Sequence, residues 1–431
     1  LHALMSAWSR DKTKRRIAET AQAAHVPSFP LCEPAEHLAS AQLRHRGFFQ
    51  TAMVSGQAMQ VPASPFGLVL TGTERPMPAS GPLPLSVVRV LDFSWVIAGP
   101  TATRYLAAMR AEVIKIEAPG RGDPGRGSDL HSVLGQAKKG IVLDLKKPDA
   151  VGVVRRLAAE ADVVVENFAT GVMDRLGLGA EALRAVNPAL IYVSASGLGR
   201  TGPECQAVAY GTLLQCYAGF AGLNRHPGVP PRVGMAWLDP MCGLMLAFIT
   251  AASVWRRRRG GVARVDFSMI EAMLWTMAEP LLAKQLGQAE RVQDRGAVYR
   301  CAGPDEWLSI EPARKVPPGE DDAVEAAALL TRSGIAAAAL ARSADLVCSA
   351  HLRARGFWDV DGLPGLPWLA SFGRVTGLAP GLGADTDAVL RTVLGMPADE
   401  IRPHADALMS IPAAQMDSDA AGFHEPKGSA R

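Results

Sequence analysis

RVLDFSWVIAGPTATRYLAAMRAEVIKIE, residues 89–117, is the stretch that decides the fold. Val87 to Phe93 is a largely apolar run rich in β-branched side chains, which suits a strand buried on both faces. Pro100 carries a backbone angle pre-set for the first turn of a helix, and Glu112 to Glu117 is a second short strand. Together they predict a β-α-β unit. A dinucleotide fold places G-x-G-x-x-G at the first turn, so that backbone amides can approach a pyrophosphate. Here the turn reads Ser94, Trp95, Val96, Ile97, Ala98, Gly99, which argues against NAD or FAD.

Downstream the same rhythm continues. Ile141 to Leu145, Asp162 to Asn167, Leu190 to Ser196 and Ala263 to Phe267 read as strands. Asp149 to Glu160, Ala180 to Val186, Asp239 to Val254 and Ser268 to Leu282 read as helices. The alternation predicts an α/β fold, a Rossmann-like parallel sheet with helices on both faces. Residues 300–370 alternate Ala-rich helix with Gly/Pro turns and predict a smaller α+β domain.

Composition narrows the function. The chain has 431 residues, 48% of them apolar, and 45 basic against 42 acidic side chains. Near-neutral charge argues against a nucleic-acid partner. The longest apolar stretch, Met241 to Trp255, reads as a buried core helix rather than a membrane span. Six cysteines (Cys32, Cys205, Cys216, Cys242, Cys301, Cys348) lack metal-ligand spacing and read as reduced, mostly buried thiols of a cytoplasmic protein with no metal.

A repeat sets the domain organisation. SAQLRHRGFF at 40–49 recurs as SAHLRARGFW at 349–358, and the register holds upstream, where Ala35-Glu36 faces Ala344-Asp345 at the same 309-residue offset. An offset of domain size points to duplication of a whole domain, since solenoid repeats have periods of roughly 20 to 50 residues. The expected layout is residues 1–80 as the tail of a preceding copy, followed by a large domain at 86–290 and a small domain at 300–375. A return segment at 376–404 and a disordered tail at 405–431 complete it.

In an open parallel sheet the ligand lies beyond the carboxyl ends of the strands. Those ends are Ser94 to Ala98, Glu117 to Asp123, Asp144 to Lys146, Asn167 to Ala169 and Ser196 to Thr201. Apolar platforms with one Lys and one Asn suit a long ligand with a phosphate end, such as coenzyme A.

The chain resembles the family III CoA-transferases, the group of formyl-CoA transferase, carnitine CoA-transferases and α-methylacyl-CoA racemase. The carrying motifs are RVLDFSWVIAGP (89–100), EVIKIEAPGRGDPGR (112–126), IVLDLKKP (141–148), DVVVENFATGVMDRLGLG (162–179), NPALIYVSASGLGRTGP (187–203) and VDFSMIEAM (265–273), in the family's order. LAPGLGADTDAVL (378–390) resembles the family's ending, and the repeat resembles tandem members. The resemblance implies an interlocked homodimer or an intrachain pseudo-dimer, acyl-CoA and carboxylic acid substrates, and no tightly bound cofactor. It implies Asp239 as the catalytic carboxylate, which attacks a thioester to form an acyl-aspartyl anhydride. On sequence alone Asp239 also reads as an N-cap before Pro240. Coenzyme A contacts implied are Ile97, Ala98, Leu143, Lys146, Asn167, Phe168, Arg175 and Tyr210. Leu143 and Phe168 also read as core, Lys146 and Arg175 as solvated charges, and Arg256 to Arg259 as a solvated helix end.

A racemase of this family uses a His and an Asp as its two bases, and the His position here is Tyr210. An ordinary tyrosine, with a pKa of about 10, is a poor base at neutral pH, which favours transfer over the alternatives, 2-methylacyl-CoA racemisation or an inactive coenzyme-A-binding fragment of a tandem enzyme. Glu311 resembles the glutamate that supports the racemase His. Arg110 stands where the family usually has Gly, and Ala118 where a cationic coenzyme A ligand is common.

Overall fold

The computed structural model describes residues 2–72, 81, 83–120, 122–223, 229–288, 297–311, 322–375 and 377–409, with side chains up to His404. The tail expected to be disordered from Ala405 is helical to Met409, and the rest of it lies outside the described residues. Two compact units make up the chain: the residues up to Leu286 with those from Leu366 on, and Gly287–Gly365.

The first unit is built on a seven-stranded sheet. In chain order its elements are β1 (Phe66–Gly72), β2 (Arg89–Asp92), helix α1 (Ala98–Ala108), β3 (Glu112–Glu117), β4 (Lys139–Val142), α2 (Pro148–Ala159), β5 (Val163–Glu166), α3 (Ala180–Val186), β6 (Ile191–Ser196), α4 (Gly211–Tyr217), α5 (Leu238–Arg257), β7 (Gly261–Ser268), α6 (Met269–Thr276), α7 (Ala278–Gln285) and α8 (Thr386–Leu394). The spatial order is β1-β7-β6-β5-β2-β3-β4. Strands β2 to β7 are parallel, as the sequence predicts. Strand β1 adds an antiparallel edge from within the segment expected to be the tail of a preceding copy, pairing Phe66 with Phe267 through Gly72 with Gly261. The sheet is therefore mixed.

Alternate strand residues feed two cores, which is why the strands read as largely apolar runs rather than alternating ones. Val90, Val113, Val163, Val165, Ile191, Val193 and Val265 pack with α1, α5 and α6 on one face. Leu91, Ile114, Ile116, Ile141, Val164 and Tyr192 pack with α2, α3 and α8 on the other. The helix expected over Ser268 to Leu282 is two helices, α6 and α7, broken at Met277. Helix α5 runs 20 residues, longer than its apolar core suggested, and alone among the described helices has the length and apolarity to cross a membrane. Half of its apolar window is buried, since Gly243 lets it lie against α1: a Cβ there would sit 2.5 Å from Thr101 Cβ and 2.7 Å from the Ala98 carbonyl oxygen.

Before the sheet, residues 14–62 form helix Lys14–Ala23, the turn Pro34–Ala39, helix Ala41–His45 and the hairpin Phe49–Val54 with Gln57–Pro62. Within the first unit this segment packs against the sheet and its helices. Leu43 and Phe48 enter its core, Gln42 donates to the Leu198 and Thr201 carbonyls, and Arg46 pairs with Asp266 and Glu271. The second unit carries a three-stranded antiparallel sheet, Ala297–Arg300, Trp307–Glu311 and Ala336–Ala339, covered by helix Ala323–Arg332.

Of the six cysteines, all free, only Cys32 and Cys242 are buried, so the expectation of mostly buried thiols is corrected. Arg257 is buried against Asp162 at 2.8 Å, and Arg259 lies over the Trp255 ring, so the Arg256–Arg259 run is not a simple solvated end.

Candidate active site

The chain direction reverses at one place in the sheet. Helix α1 carries β2 to β3 on one face, whereas α2 carries β4 back across to β5, on the other side of β2. The carboxyl ends of β2 and β5 therefore flank a topological switch point, where open α/β sheets bind ligands. Trp95 and Phe168 meet there edge to face, with ring centroids 4.9 Å apart. Asn167 clasps the turn: the Trp95 N–H donates to Asn167 Oδ1 at 2.7 Å, and Asn167 Nδ2 donates to the Trp95 carbonyl at 2.9 Å. Gly99 is required by closeness, since a Cβ there would lie 2.1 Å from Ser94 Cβ.

Beneath this turn is a buried ionic network. Lys138 donates to Asp92 Oδ2 at 3.0 Å and to the Pro100 carbonyl at 3.1 Å, and Thr103 Oγ1 donates to the same carboxylate at 2.6 Å. Lys115 donates to the Ser94 carbonyl at 2.8 Å and to Asp123 Oδ2 at 2.9 Å. Asp123 Oδ1 accepts from the Val96 N–H at 2.9 Å, where Val96 has φ +68°. Glu117 binds Arg126 and the Asp123 N–H. Three carboxylates thus face three cations, as burial demands. Burial alone would raise Asp92 and Asp123, yet Lys138 and Lys115 hold them below the usual range. Lys138, wholly buried, is pushed down to about 8. Arg200 ties β5 to β6, donating to both Glu166 oxygens (2.9 and 2.8 Å) and to the Phe168 carbonyl (2.6 Å), though burial still leaves the Glu166 carboxyl raised.

Asp239 sits in the first turn of α5. Trp237 is the N-cap, so Asp239 is the second helical residue and the N-cap reading is corrected. Pro240 is the third helical residue, and Pro100 is likewise the third of α1 after N-cap Ile97. Proline is tolerated at these positions because the first-turn amides have no intrahelical acceptor. The close contact of Gly243 with Ala98 sets the start of α5 against the start of α1, beside the switch point. Burial raises the Asp239 carboxyl to about 6, the hydrogen bond of its own backbone N–H opposing this. Among the described residues no cation pairs with it. Gly211 makes room for it, since a Cβ at 211 would lie 1.8 Å from Asp239 Oδ2.

Of the residues implied by resemblance, Ile97, Ala98, Asn167 and Phe168 gather at the switch point, and Asp239 borders it. Tyr210, the N-cap of α4 and exposed, adjoins Gly211. Leu143 is buried in the core, so its side chain serves packing and only its backbone reaches the strand end. Lys146 and Arg175 are exposed, and neither side chain makes a hydrogen bond among the described residues. The residues that the sequence reading passed over are Asp92, Lys115, Asp123, Lys138 and Arg200. Their signal was a charge inside a doubly buried strand, as in EVIKIE, which is too costly unless paired.

The model of CoA-transferase family III matches residues 85–315. The succinyl-CoA–D-citramalate CoA-transferase of Chloroflexus aurantiacus is 36% identical over 216 residues, 48% of this chain and 54% of that protein. The acetyl-CoA:oxalate CoA-transferase of Acetobacter aceti is 38% identical over 216 residues, 48% of this chain and 56% of its own. The chain thus spans about half the length of the curated relatives it matches. A hypothetical protein of Mycobacterium tuberculosis shares the fold, with a TM-score of 0.63 and 24% identity over 72% of this chain and 99% of that structure.

Proposed function

The chain belongs to CoA-transferase family III, and from that premise we propose that it moves coenzyme A between an acyl-CoA and a carboxylic acid through Asp239. The observation that carries this reading is a carboxylate at a helix start, raised to about 6 by burial, with a glycine kept open against it. Such a group is ionised at neutral pH yet more basic than an ordinary aspartate, which suits a nucleophile.

An Asp239 oxygen attacks the thioester carbonyl, the C–S bond breaks, and coenzyme A leaves as thiolate from an acyl-aspartyl anhydride. The thiolate attacks the aspartyl carbonyl and releases the donor acid as its carboxylate. The acceptor carboxylate then attacks the aspartyl thioester, and the expelled thiolate takes the acceptor acyl carbon, which regenerates Asp239. The first-turn amides of α5 favour the anionic carboxylate. In this reading coenzyme A lies along the switch point over Trp95, Ile97, Ala98 and Phe168, and Tyr210, Lys146 and Arg175 border it. No tightly bound cofactor is required.

The test is a transfer assay with succinyl-CoA and a panel of carboxylic acids, reading new acyl-CoA by mass spectrometry. The expected result is acceptor-dependent transfer that Asp239→Ala abolishes. Deuterium exchange at the α-carbon of a 2-methylacyl-CoA, without transfer to any acid, would overturn it in favour of the racemase.

A further inference from the structure

The helix that carries Asp239 starts without a cap of its own. Trp237, the N-cap of α5, has helical backbone angles and makes no side-chain capping bond. The amides of a buried first turn must still find acceptors, because water does not reach them. The Trp237 N–H donates to the Met235 carbonyl at 2.9 Å, and the Asp239 N–H to its own carboxylate. Pro240 has no N–H, and the Met241 N–H donates to the Trp237 carbonyl at 3.2 Å. There remains Leu238, wholly buried, whose N–H donates to Gln215 Oε1 at 3.5 Å.

Gln215 lies on α4, four residues after Gly211 and therefore on the same face of that helix. It is wholly buried, and its amide is spent on the segment leading into Asp239: Nε2 donates to the carbonyls of Val233 at 3.3 Å and Met235 at 3.1 Å, while Oε1 accepts from Leu238. One face of α4 thus leaves room for the carboxylate at Gly211 and grips the backbone ahead of it at Gln215. A buried amide persists where its donors and acceptor are used, and a neutral amide does this without placing a charge beside Asp239. The helix that holds Gln215 is itself fixed. Leu214 and Ala218 sit in the core, the Cys32 N–H donates to the Cys216 carbonyl at 3.4 Å, and His37 Nε2 donates to the Tyr217 carbonyl at 2.7 Å.

We propose that Gln215 is the positioning residue for Asp239: by holding the 233–238 backbone and capping Leu238 from a neighbouring helix, it sets the register of the first turn of α5 and the direction in which the carboxylate meets the thioester. The inference rests on the reading of Asp239 as the nucleophile. Being wholly buried, Gln215 acts through the backbone it holds. Loss of its amide frees Val233, Met235 and Leu238 together, and a shift of about 1 Å at a reacting group costs on the order of a hundredfold in rate. The surfaces assigned to coenzyme A, at Trp95 and Phe168, belong to other elements, so the loss falls on kcat rather than on KM.

The test uses the full chain. Steady-state transfer kinetics and thermal melts compare wild type, Gln215→Met, Asn187→Leu and Asp239→Ala. Gln215→Met keeps the length of the side chain and loses its hydrogen bonds. Asn187 is the matched control, another buried amide that donates to two carbonyls, Ala158 at 2.9 Å and Ala161 at 2.8 Å, and accepts the Ala189 N–H at 3.1 Å, but beside the amino ends of β5 and β6. Gln215→Met is expected to lower kcat by about tenfold to a hundredfold with KM within about threefold of wild type. Asn187→Leu is expected to melt lower than wild type and to keep its kcat. A folded Gln215→Met with kcat within about threefold of wild type, or a loss of kcat that Asn187→Leu matches, overturns the proposal and leaves the role of Asp239 standing. Transfer that survives Asp239→Ala overturns the reading of Asp239 itself, and the proposal with it. Should Gln215→Met not fold, Gln215→Glu, which keeps the shape and the acceptor and replaces the donors, is judged by the same split between kcat and KM.

Discussion

Gly211→Ala separates the role of Asp239 from that of the surrounding fold. Gly211 opens α4 with an ordinary negative φ, so its backbone accepts alanine, and the helix itself gains up to about 1 kcal/mol. The added methyl carbon would sit 1.8 Å from Asp239 Oδ2, whereas unstrained heavy atoms keep about 3.5–4 Å apart. The carboxylate is the free end of a short side chain, so it yields by turning away, with a displacement of about 1.5–2 Å. A misplacement of about 1 Å at a reacting group costs on the order of a hundredfold in rate, equivalent to about 2.7 kcal/mol of transition-state stabilisation. The expected outcome is therefore a fall in kcat for coenzyme A transfer of about a hundredfold, with a melting temperature within a few degrees of wild type. Steady-state kinetics and a thermal melt on the same preparation decide it. Transfer within about threefold of wild type would refute the assignment of Asp239 as nucleophile, because an attacking oxygen cannot be moved that far without loss.

Three further outcomes follow from the same geometry. Asp239 titrates at about 6 when folded, above its unfolded value, so the native state binds more protons between the two and loses stability as pH rises through that window. Asp239→Asn is accordingly expected to melt higher than wild type at pH about 7.5, by at most about 3 kcal/mol, and to lose that advantage below pH about 4, as paired melts would show. Lys138→Met leaves the wholly buried Asp92 without its nearest cation and is expected to cost about 3–5 kcal/mol in urea unfolding, part of which Asp92→Asn in the same chain restores. Asn167→Ala removes both hydrogen bonds that clasp Trp95, and at about 1 kcal/mol each the KM for an acyl-CoA donor should rise about tenfold or more, with a smaller change in kcat.

The sheet was legible because its strands are buried on both faces: Val163, Val164 and Val165 feed opposite cores in turn, and such a run reads as a parallel strand without any alignment. Strand β1 was not legible. FGLVLTG lies among prolines, its Leu68, Val69 and Leu70 are exposed, and only its pairing with β7 makes it a strand. The position of Asp239 was readable from motif order, but its environment depends on Gly211 and Gly243, two glycines whose meaning lies in what approaches them in space. The ionic network was hidden for a related reason. Asp92, Lys115 and Lys138 come from three separated segments, and sequence shows the cost of burying each charge but not the partner that offsets it.

The central claim is that Asp239 carries the acyl group, and direct trapping tests it. The protein is incubated with acyl-CoA donors including succinyl-CoA, quenched with hydroxylamine or borohydride, and analysed by intact and peptide mass spectrometry. The account predicts a modification confined to the peptide containing Asp239 and absent from Asp239→Ala. Transfer activity with Asp239 unmodified, or an adduct that persists in Asp239→Ala, would contradict it.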